Sequence, residues 1–264
     1  MSESDPTVPI PATESQTSVR RSGMVRLLQL VVFYTELAMF GLGTFLYNLF
    51  CLLSSLLPGC ERRRSLHQRI GTRLLRFFLW MIDVSNLCKI QRPPPEVLRN
   101  VGPSVIIANH TGLMDAIVLN TLFPKAVCIF KSGLARNPIF SHVLRMGGHL
   151  RNDEGIDVIR KGAERANTQG HVIVFPEGTR NPCCTQFTFK KGFALIAQRA
   201  QLPVTLFAIH NPTHAFSKEM GIRAPELPFT LRFEVLETLG IESGESIDAF
   251  VNRVESIYQQ CFQP

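Results

Sequence analysis

A chain of 264 residues carries 28 Lys+Arg against 21 Asp+Glu, for a net charge of +7, and is 45% hydrophobic. Its 19 Phe and abundant aliphatic residues suffice for one α/β domain with a helical appendage, which excludes a wholly disordered chain. Only one region is long and apolar enough to enter a bilayer, so a multispanning protein is excluded, and the basic balance points to an anionic partner: nucleic acid, a membrane surface or a phosphorylated substrate.

Residues 1–23 are rich in Ser, Thr and Pro without apolar periodicity and read as a disordered tail. Arg20 and Arg21 precede an apolar run, but that run is longer than a signal-peptide core and no small-residue cleavage site ends it, so export is not expected. From Leu27 to Leu57 the only charge is Glu36. A continuous helix there would be about 46 Å long. Gly41 and Gly43 lie near its middle, which leaves a tilted spanning helix or two shorter helices that enter one leaflet and return. Positive residues flank both ends: Arg20, Arg21 and Arg26 before, and Arg62, Arg63, Arg64, Arg69, Arg73 and Arg76 after. Since positive charge marks the cytoplasmic side, the re-entrant or interfacial hairpin is favoured. The second Arg cluster is followed by Leu74, Leu75, Phe77, Phe78, Leu79 and Trp80, the composition of a basic interfacial helix against anionic headgroups. Residues 24–90 are therefore expected to form a membrane-associated helical segment. No nucleic-acid-binding signature is present, so nucleic acid is not expected as a partner.

After Pro93-Pro94-Pro95, read as a rigid linker, residues 96–264 alternate short β-rich runs with helix-length segments. Strands are expected at Ser104–Asn109, Ala126–Lys131, His171–Phe175, Val204–Ile209 and Thr230–Leu236. Helices are expected at Met114–Leu122, Pro138–Met146, Ile156–Gln169, Phe193–Ala200 and, from the spacing of Ile247, Phe250, Val251, Val254, Ile257 and Cys261, at the end. The implied fold is α/β: a mostly parallel sheet flanked by helices, with functional groups gathered where strands end.

Two such ends carry chemistry. The first strand runs into Asn109-His110-Thr111-Gly112-Leu113-Met114-Asp115, a histidine with a carboxylate five residues on, suited to a general base and the group that orients it. A histidine at a strand end is also a common structural hydrogen-bonder. The third strand ends in Phe175-Pro176-Glu177-Gly178-Thr179-Arg180, a turn that presents a carboxylate, a hydroxyl and a guanidinium whose planar fork suits a phosphate. Lys131, ending the second strand, belongs to the same edge. The seven cysteines include no C-x-x-C and read as reduced thiols. His210 and His214 are separated by Pro212 and have no cysteine pair beside them, so no metal site is expected.

Asn-His-x-x-x-x-Asp followed some 60 residues later by Phe-Pro-Glu-Gly-Thr-Arg resembles the glycerolipid acyltransferases, the 1-acylglycerol-3-phosphate acyltransferase family. The likeness continues in Lys131-Ser-Gly-Leu-Ala-Arg-Asn-Pro138 with Gly147, and in Phe189-Lys190-Lys191-Gly192-Phe193. It covers residues 100–210, and the apolar N-terminal segment is similar to that family's membrane-docking helices. The resemblance implies transfer of a fatty acyl group from an acyl thioester, on coenzyme A or acyl carrier protein, to the hydroxyl of a lysophospholipid. It implies direct attack with His110 as base and Asp115 orienting it, and acceptor phosphate held by Arg180 and Lys131. Glu177, Gly178 and Thr179 would shape the acceptor pocket. No cofactor and no metal are implied, and the expected place is the cytoplasmic face of the cell inner membrane.

The chain departs from the family where Leu202-Pro203-Val204-Thr205-Leu206-Phe207 lacks a second Pro, and where Leu150-Arg151-Asn152-Asp153 replaces an Ile-Asp-Arg. A different lysolipid or an unusual lipid acceptor thus stays open. So do a non-catalytic lipid-binding protein and a thiol hydrolase using Cys183 or Cys184.

Overall fold

The computed structural model describes residues 23–57 and 61–263. The tail expected over residues 1–23 lies outside the described residues up to residue 22, and Gly23 opens the first helix.

Two helices come first: α1, Gly23–Ser54, and α2, Glu61–Ser85. The 32 residues of α1 are unbroken, about 48 Å at helical rise. Gly41 and Gly43 do not interrupt it as one sequence reading had it, since a helix tolerates isolated glycine at a cost of only about 1 kcal/mol each. The hairpin is instead formed by α1 with α2, which pack against each other. One polar residue in α1 is buried, Asn48. Its Oδ1 accepts from the backbone N–H of His142 (2.8 Å) and Val143 (3.1 Å), and its Nδ2 donates to the Pro138 carbonyl at 2.6 Å. These are N–H groups of the first turn of a later helix, so α1 supplies a cap that the local sequence lacks.

The domain that follows is built from β1 (Cys88–Gln91), α3 (Pro95–Asn100), β2 (Ser104–Ala108), α4 (Leu113–Leu122), β3 (Val127–Phe130), α5 (Ser141–Met146), β4 (Leu150–Arg151), α6 (Ile156–Gln169), β5 (His171–Val174), α7 (Gly192–Ala200), β6 (Val204–His210), β7 (Phe229–Leu239) and α8 (Ile247–Phe262). The strands form one sheet in the order β1-β7-β6-β2-β5-β3-β4, parallel except where β6 and β7 run antiparallel. Three elements differ from expectation. β1 begins within the segment assigned to the membrane, yet pairs with β7 in the sheet. The triple proline is not all linker, because Pro95 opens α3, where its missing N–H costs nothing. β4 is a two-residue strand with no hydrophobic run of its own to reveal it.

Both sheet faces are buried, which is why β2 and β6 read as continuous apolar runs. Ile106, Ala108, Phe207 and Ile209 face the layer of α1, α2 and α4, and Val105, Ile107, Val204 and Leu206 face α6, α7 and α8. Tyr258 of α8 is fully buried on that second face and donates to the carbonyls of Ile107 (3.1 Å) and Phe207 (2.8 Å).

Candidate active site

The position of the site follows from how neighbouring strands leave the sheet. β2 and β5 are adjacent and parallel. β2 exits into α4 on one face, and β5 exits toward α7 on the other. Such a divergence opens a crevice at the carboxyl ends of the two strands. Residues 109–115 and 175–181 line this crevice from its two sides.

Asp115 is fully buried in the first turn of α4. Its Oδ2 accepts from Thr111 N (2.6 Å), Gly112 N (2.8 Å) and His110 Nδ1 (2.9 Å), and its Oδ1 accepts from Thr111 Oγ1 at 3.1 Å. These bonds satisfy the carboxylate and close the loop tightly around it. Because the carboxylate accepts, the His110 proton sits on Nδ1 and Nε2 is left as an acceptor in the neutral ring. The His110 side chain is 20% exposed, and its ring lies on Phe175 with centroids 4.2 Å apart and planes 26° apart. The arrangement is an oriented imidazole with a buried carboxylate behind it and an Nε2 that meets no partner among the described residues.

The strand ends are tied together by side chains that mimic backbone. Asn109 continues the β2–β6 ladder where the chain turns away: its Oδ1 accepts from Ile209 N at 2.7 Å and its Nδ2 donates to Ile209 O at 2.9 Å. Asn181 N donates to His110 O at 2.6 Å. Glu177 Oε1 accepts from His110 N at 3.2 Å, and burial pushes its carboxyl up to about 7. Glu177 thus braces the backbone of the histidine. Gly178 stands at φ +69, a left-handed backbone conformation that favours glycine in this turn. Thr179 is exposed in the same turn.

Arg180 crosses to the segment after β6, where its Nη1 donates to the Phe216 carbonyl at 3.3 Å. Leu113 N donates to the same carbonyl. Gly112 packs against this segment so closely that a Cβ would meet Ala215 O at 2.6 Å. Lys131 follows β3 on the same sheet edge and is exposed, in no ion pair among the described residues. β3 lies two strands from β2, roughly 10 Å away, so Lys131 shares the edge without touching His110. Phe175, Thr111, Asn109 and Phe216 were not singled out as site residues from sequence. The first three lie inside or beside the two motifs, whereas nothing near Phe216 announced it.

For Cys184 the thiol-hydrolase alternative loses its geometry. Cys184 is buried, receives a hydrogen bond from Asn109 Nδ2 at 3.3 Å and contacts Asn181 O, with no imidazole among these partners. Burial pushes its thiol up to about 11, away from the thiolate a nucleophile needs. His210 stacks on Phe262, and its Nε2 lies 3.1 Å from Arg232 Nη2.

A cavity of about 480 Å³ lies beside the crevice, enclosed by α1, α2, α4, β3 and α5. Leu113 and Ala116 of α4 bring its wall to within a few residues of His110, and its lining is mostly apolar.

Residues 82–210 match the family model described as Acyltransferase. The chain is 28% identical over 165 residues to a 1-acyl-sn-glycerol-3-phosphate acyltransferase from Cocos nucifera, covering 59% of this chain and 52% of that protein. It is also 28% identical over 127 residues to the enzyme of that name from Helicobacter pylori, covering 46% of this chain and 54% of that one. The chain therefore spans about half the length of the curated relatives it matches. Its fold is that of the 1-acyl-sn-glycerophosphate acyltransferase PlsC from Thermotoga maritima, with a TM-score of 0.61 at 21% identity, over 91% of this chain and 98% of that one.

Proposed function

Residues 82–210 match the acyltransferase family, and from that premise we propose that the protein moves a fatty acyl group from an acyl thioester to the hydroxyl of a lysophospholipid such as 1-acylglycerol-3-phosphate. The observation that carries this reading is the His110–Asp115 pair, held at the crevice with His110 Nε2 unpartnered among the described residues. In the reaction, His110 Nε2 takes the proton of the acceptor hydroxyl as that oxygen attacks the thioester carbonyl. The C–O bond forms, the C–S bond breaks, and the imidazolium passes its proton to the departing thiolate. Asp115 stabilises the imidazolium while it exists and keeps the ring from turning. Coenzyme A and acyl carrier protein are both suitable carriers, and no cofactor takes part.

Arg180 and Lys131 supply the charge for the acceptor phosphate, Arg180 as a fork aimed by the Phe216 carbonyl and Lys131 as a point charge farther along the edge. Gly178 and Thr179 form the turn that faces the acceptor. The apolar cavity beside Leu113 receives the acyl chain; its volume is within the range of small-molecule sites. The lysolipid acceptor resides in a membrane, and the surface suits that. Leu27, Leu28, Val31, Leu42, Phe45 and Leu49 of α1 are exposed, and α2 interleaves exposed Leu74, Phe77 and Trp80 with Arg69, Arg73 and Arg76. Such a surface docks into one leaflet, with each Arg contributing about 1 kcal/mol against anionic headgroups. The place proposed is the cytoplasmic face of the cell inner membrane.

The test is an acyl-transfer assay on vesicle-reconstituted protein, offering long-chain acyl thioesters with a panel of lysolipids. Turnover that depends on His110 and peaks with a phosphate monoester acceptor supports the proposal. Turnover indifferent to His110→Ala, or absent across the panel with folded protein, overturns it.

A further inference from the structure

Asn211 follows β6 directly, and its side chain is buried. Its Oδ1 accepts from Ala215 N at 3.0 Å and from Thr213 Oγ1 at 3.4 Å, and its Nδ2 donates to Ala215 O at 2.9 Å. Nδ2 also donates to Thr111 Oγ1 at 3.3 Å. Because β6 pairs with β2, the residue after one strand end meets the loop after the other.

Chemistry fixes the direction of the bonds that follow. An amide nitrogen only donates and a carboxylate only accepts. The Thr111 hydroxyl between them therefore receives the Asn211 N–H and gives its own proton to Asp115 Oδ1. Thr111 Oγ1 is the only donor to Oδ1 among the described residues, whereas Oδ2 takes Thr111 N, Gly112 N and His110 Nδ1. The torsion that turns a carboxylate is soft, so a donor held on Oδ1 keeps Oδ2 aimed at His110. Asn211, Thr111 and Asp115 are all buried, and a bond lost there leaves its partner unsatisfied.

The same side chain holds the segment on which Arg180 rests. Ala215, bonded through both its N and its O to Asn211, precedes Phe216, whose carbonyl receives Arg180 Nη1. His214 at φ +53 and Phe216 at φ +58 both stand in the left-handed region, which non-glycine residues keep only where their surroundings hold them. We propose that Asn211 is a positioning residue for both halves of the site: it aligns Asp115 through Thr111, and through Ala215 it holds the Phe216 carbonyl for Arg180. The inference rests on the acyl-transfer reading for its catalytic meaning, but the hydrogen-bond chain to His110 can be measured without turnover.

The experiment pairs acyl-transfer kinetics with magnetic resonance of the ring N–H groups, using the full chain with isotope-labelled histidine in detergent. Of the seven histidines, His110 is identified by the signal missing in His110→Ala. Thr111→Val removes the relaying hydroxyl and should lower kcat roughly 10–100-fold, the scale of a misplaced catalytic group, with acceptor KM within about twofold. Thr111→Ser should restore most of that loss. Asn211→Ser keeps a weaker oxygen for the turn but is too short to reach Thr111, so kcat should fall as in Thr111→Val. Combined with Thr111→Val it should cost little more, since both act through one hydroxyl. Asn211→Ala, which also releases Ala215, should in addition raise KM for a phosphate-bearing acceptor by about tenfold.

The His110 Nδ1–H signal should be sharp in the wild type and in Thr111→Ser, and broadened by exchange in Thr111→Val and Asn211→Ser. Losses in kcat that add fully in the double variant overturn the proposal, as does a His110 signal unchanged in Thr111→Val and Asn211→Ser. Signals that respond as expected in a protein without turnover from any donor support the positioning of His110 and count against the reaction.

Discussion

Phe33 of α1 lies almost flat against Phe216, with ring centroids 5.7 Å apart and planes 17° apart. Phe216 is a non-glycine residue at φ +58, and its carbonyl receives both Arg180 Nη1 and Leu113 N. The helix proposed to lie in lipid thus supports the segment that aims the phosphate-binding arginine and begins α4. Phe33→Ala should raise KM for a phosphate-bearing acceptor by about tenfold, the equivalent of one weakened charge-assisted bond, while kcat falls little. Phe33→Leu should restore most of the loss, and vesicle co-sedimentation should be unchanged in both variants. A uniform fall in kcat with unchanged KM would mean that the contact merely supports the fold.

Removing the imidazole in His110→Ala should lower kcat by roughly 10²–10⁴-fold, the usual contribution of positioned proton transfer. Circular dichroism and vesicle binding should match the wild type. Asp115→Asn is a harsher change than its size suggests. The amide cannot accept all four hydrogen bonds, so both activity and thermal stability should fall.

Arg180→Ala should cost about 1.5–3 kcal/mol in kcat/KM for phosphate monoester acceptors, or roughly 10–150-fold. Acceptors without a phosphate should lose far less. Equal losses on the two classes would place Arg180 in loop support through Phe216 instead of in acceptor binding.

The carboxyl of Glu177 is raised by burial to about 7 while it braces His110 N. A group whose folded pKa is raised above its unfolded value favours the protonated folded state. Its contribution is therefore complete below the ordinary carboxylate range and is lost as pH climbs through about 7. Chemical denaturation of the wild type should show stability declining from about pH 4.5 to 7, and Glu177→Gln should flatten that decline.

Asn48 caps α5 from α1, across more than 90 residues of sequence. Asn48→Ala should cost about 1 kcal/mol, the usual price of an N-cap, and lower Tm by about 2–4 °C for a chain of this size. Asn48→Leu should be no better, since added apolar area cannot replace the bonds to His142 N and Val143 N. A thermal melt checks both.

Most of the sheet was legible in the sequence, because strands buried on both faces read as unbroken Val/Ile/Leu runs and the helices between them repeat at 3.6 residues. Ile156–Gln169 was expected with the bounds it has, and β2, β3, β5, β6 and β7 were each expected within a few residues. β1 and β4 escaped because neither carries an apolar run of its own, Lys89 and Gln91 alternating with Cys88 and Ile90 in one and only two residues making up the other; they are strands through their partners, Phe229–Arg232 and Ile129–Phe130.

His110, Asp115 and Glu177–Arg180 stood out by themselves, since local spacing and turn chemistry place such groups at strand ends. The sequence by itself thus determined the layer architecture and the two loops of the crevice. Tertiary structure alone decided that β2 and β5 lie side by side, that Glu177 turns to His110 N, and that Arg180 meets Phe216. It also decided that α1 closes a cavity against the domain. The reason is physical: strand order and side-chain partnership over 30 to 100 residues are settled by packing, which no local period records.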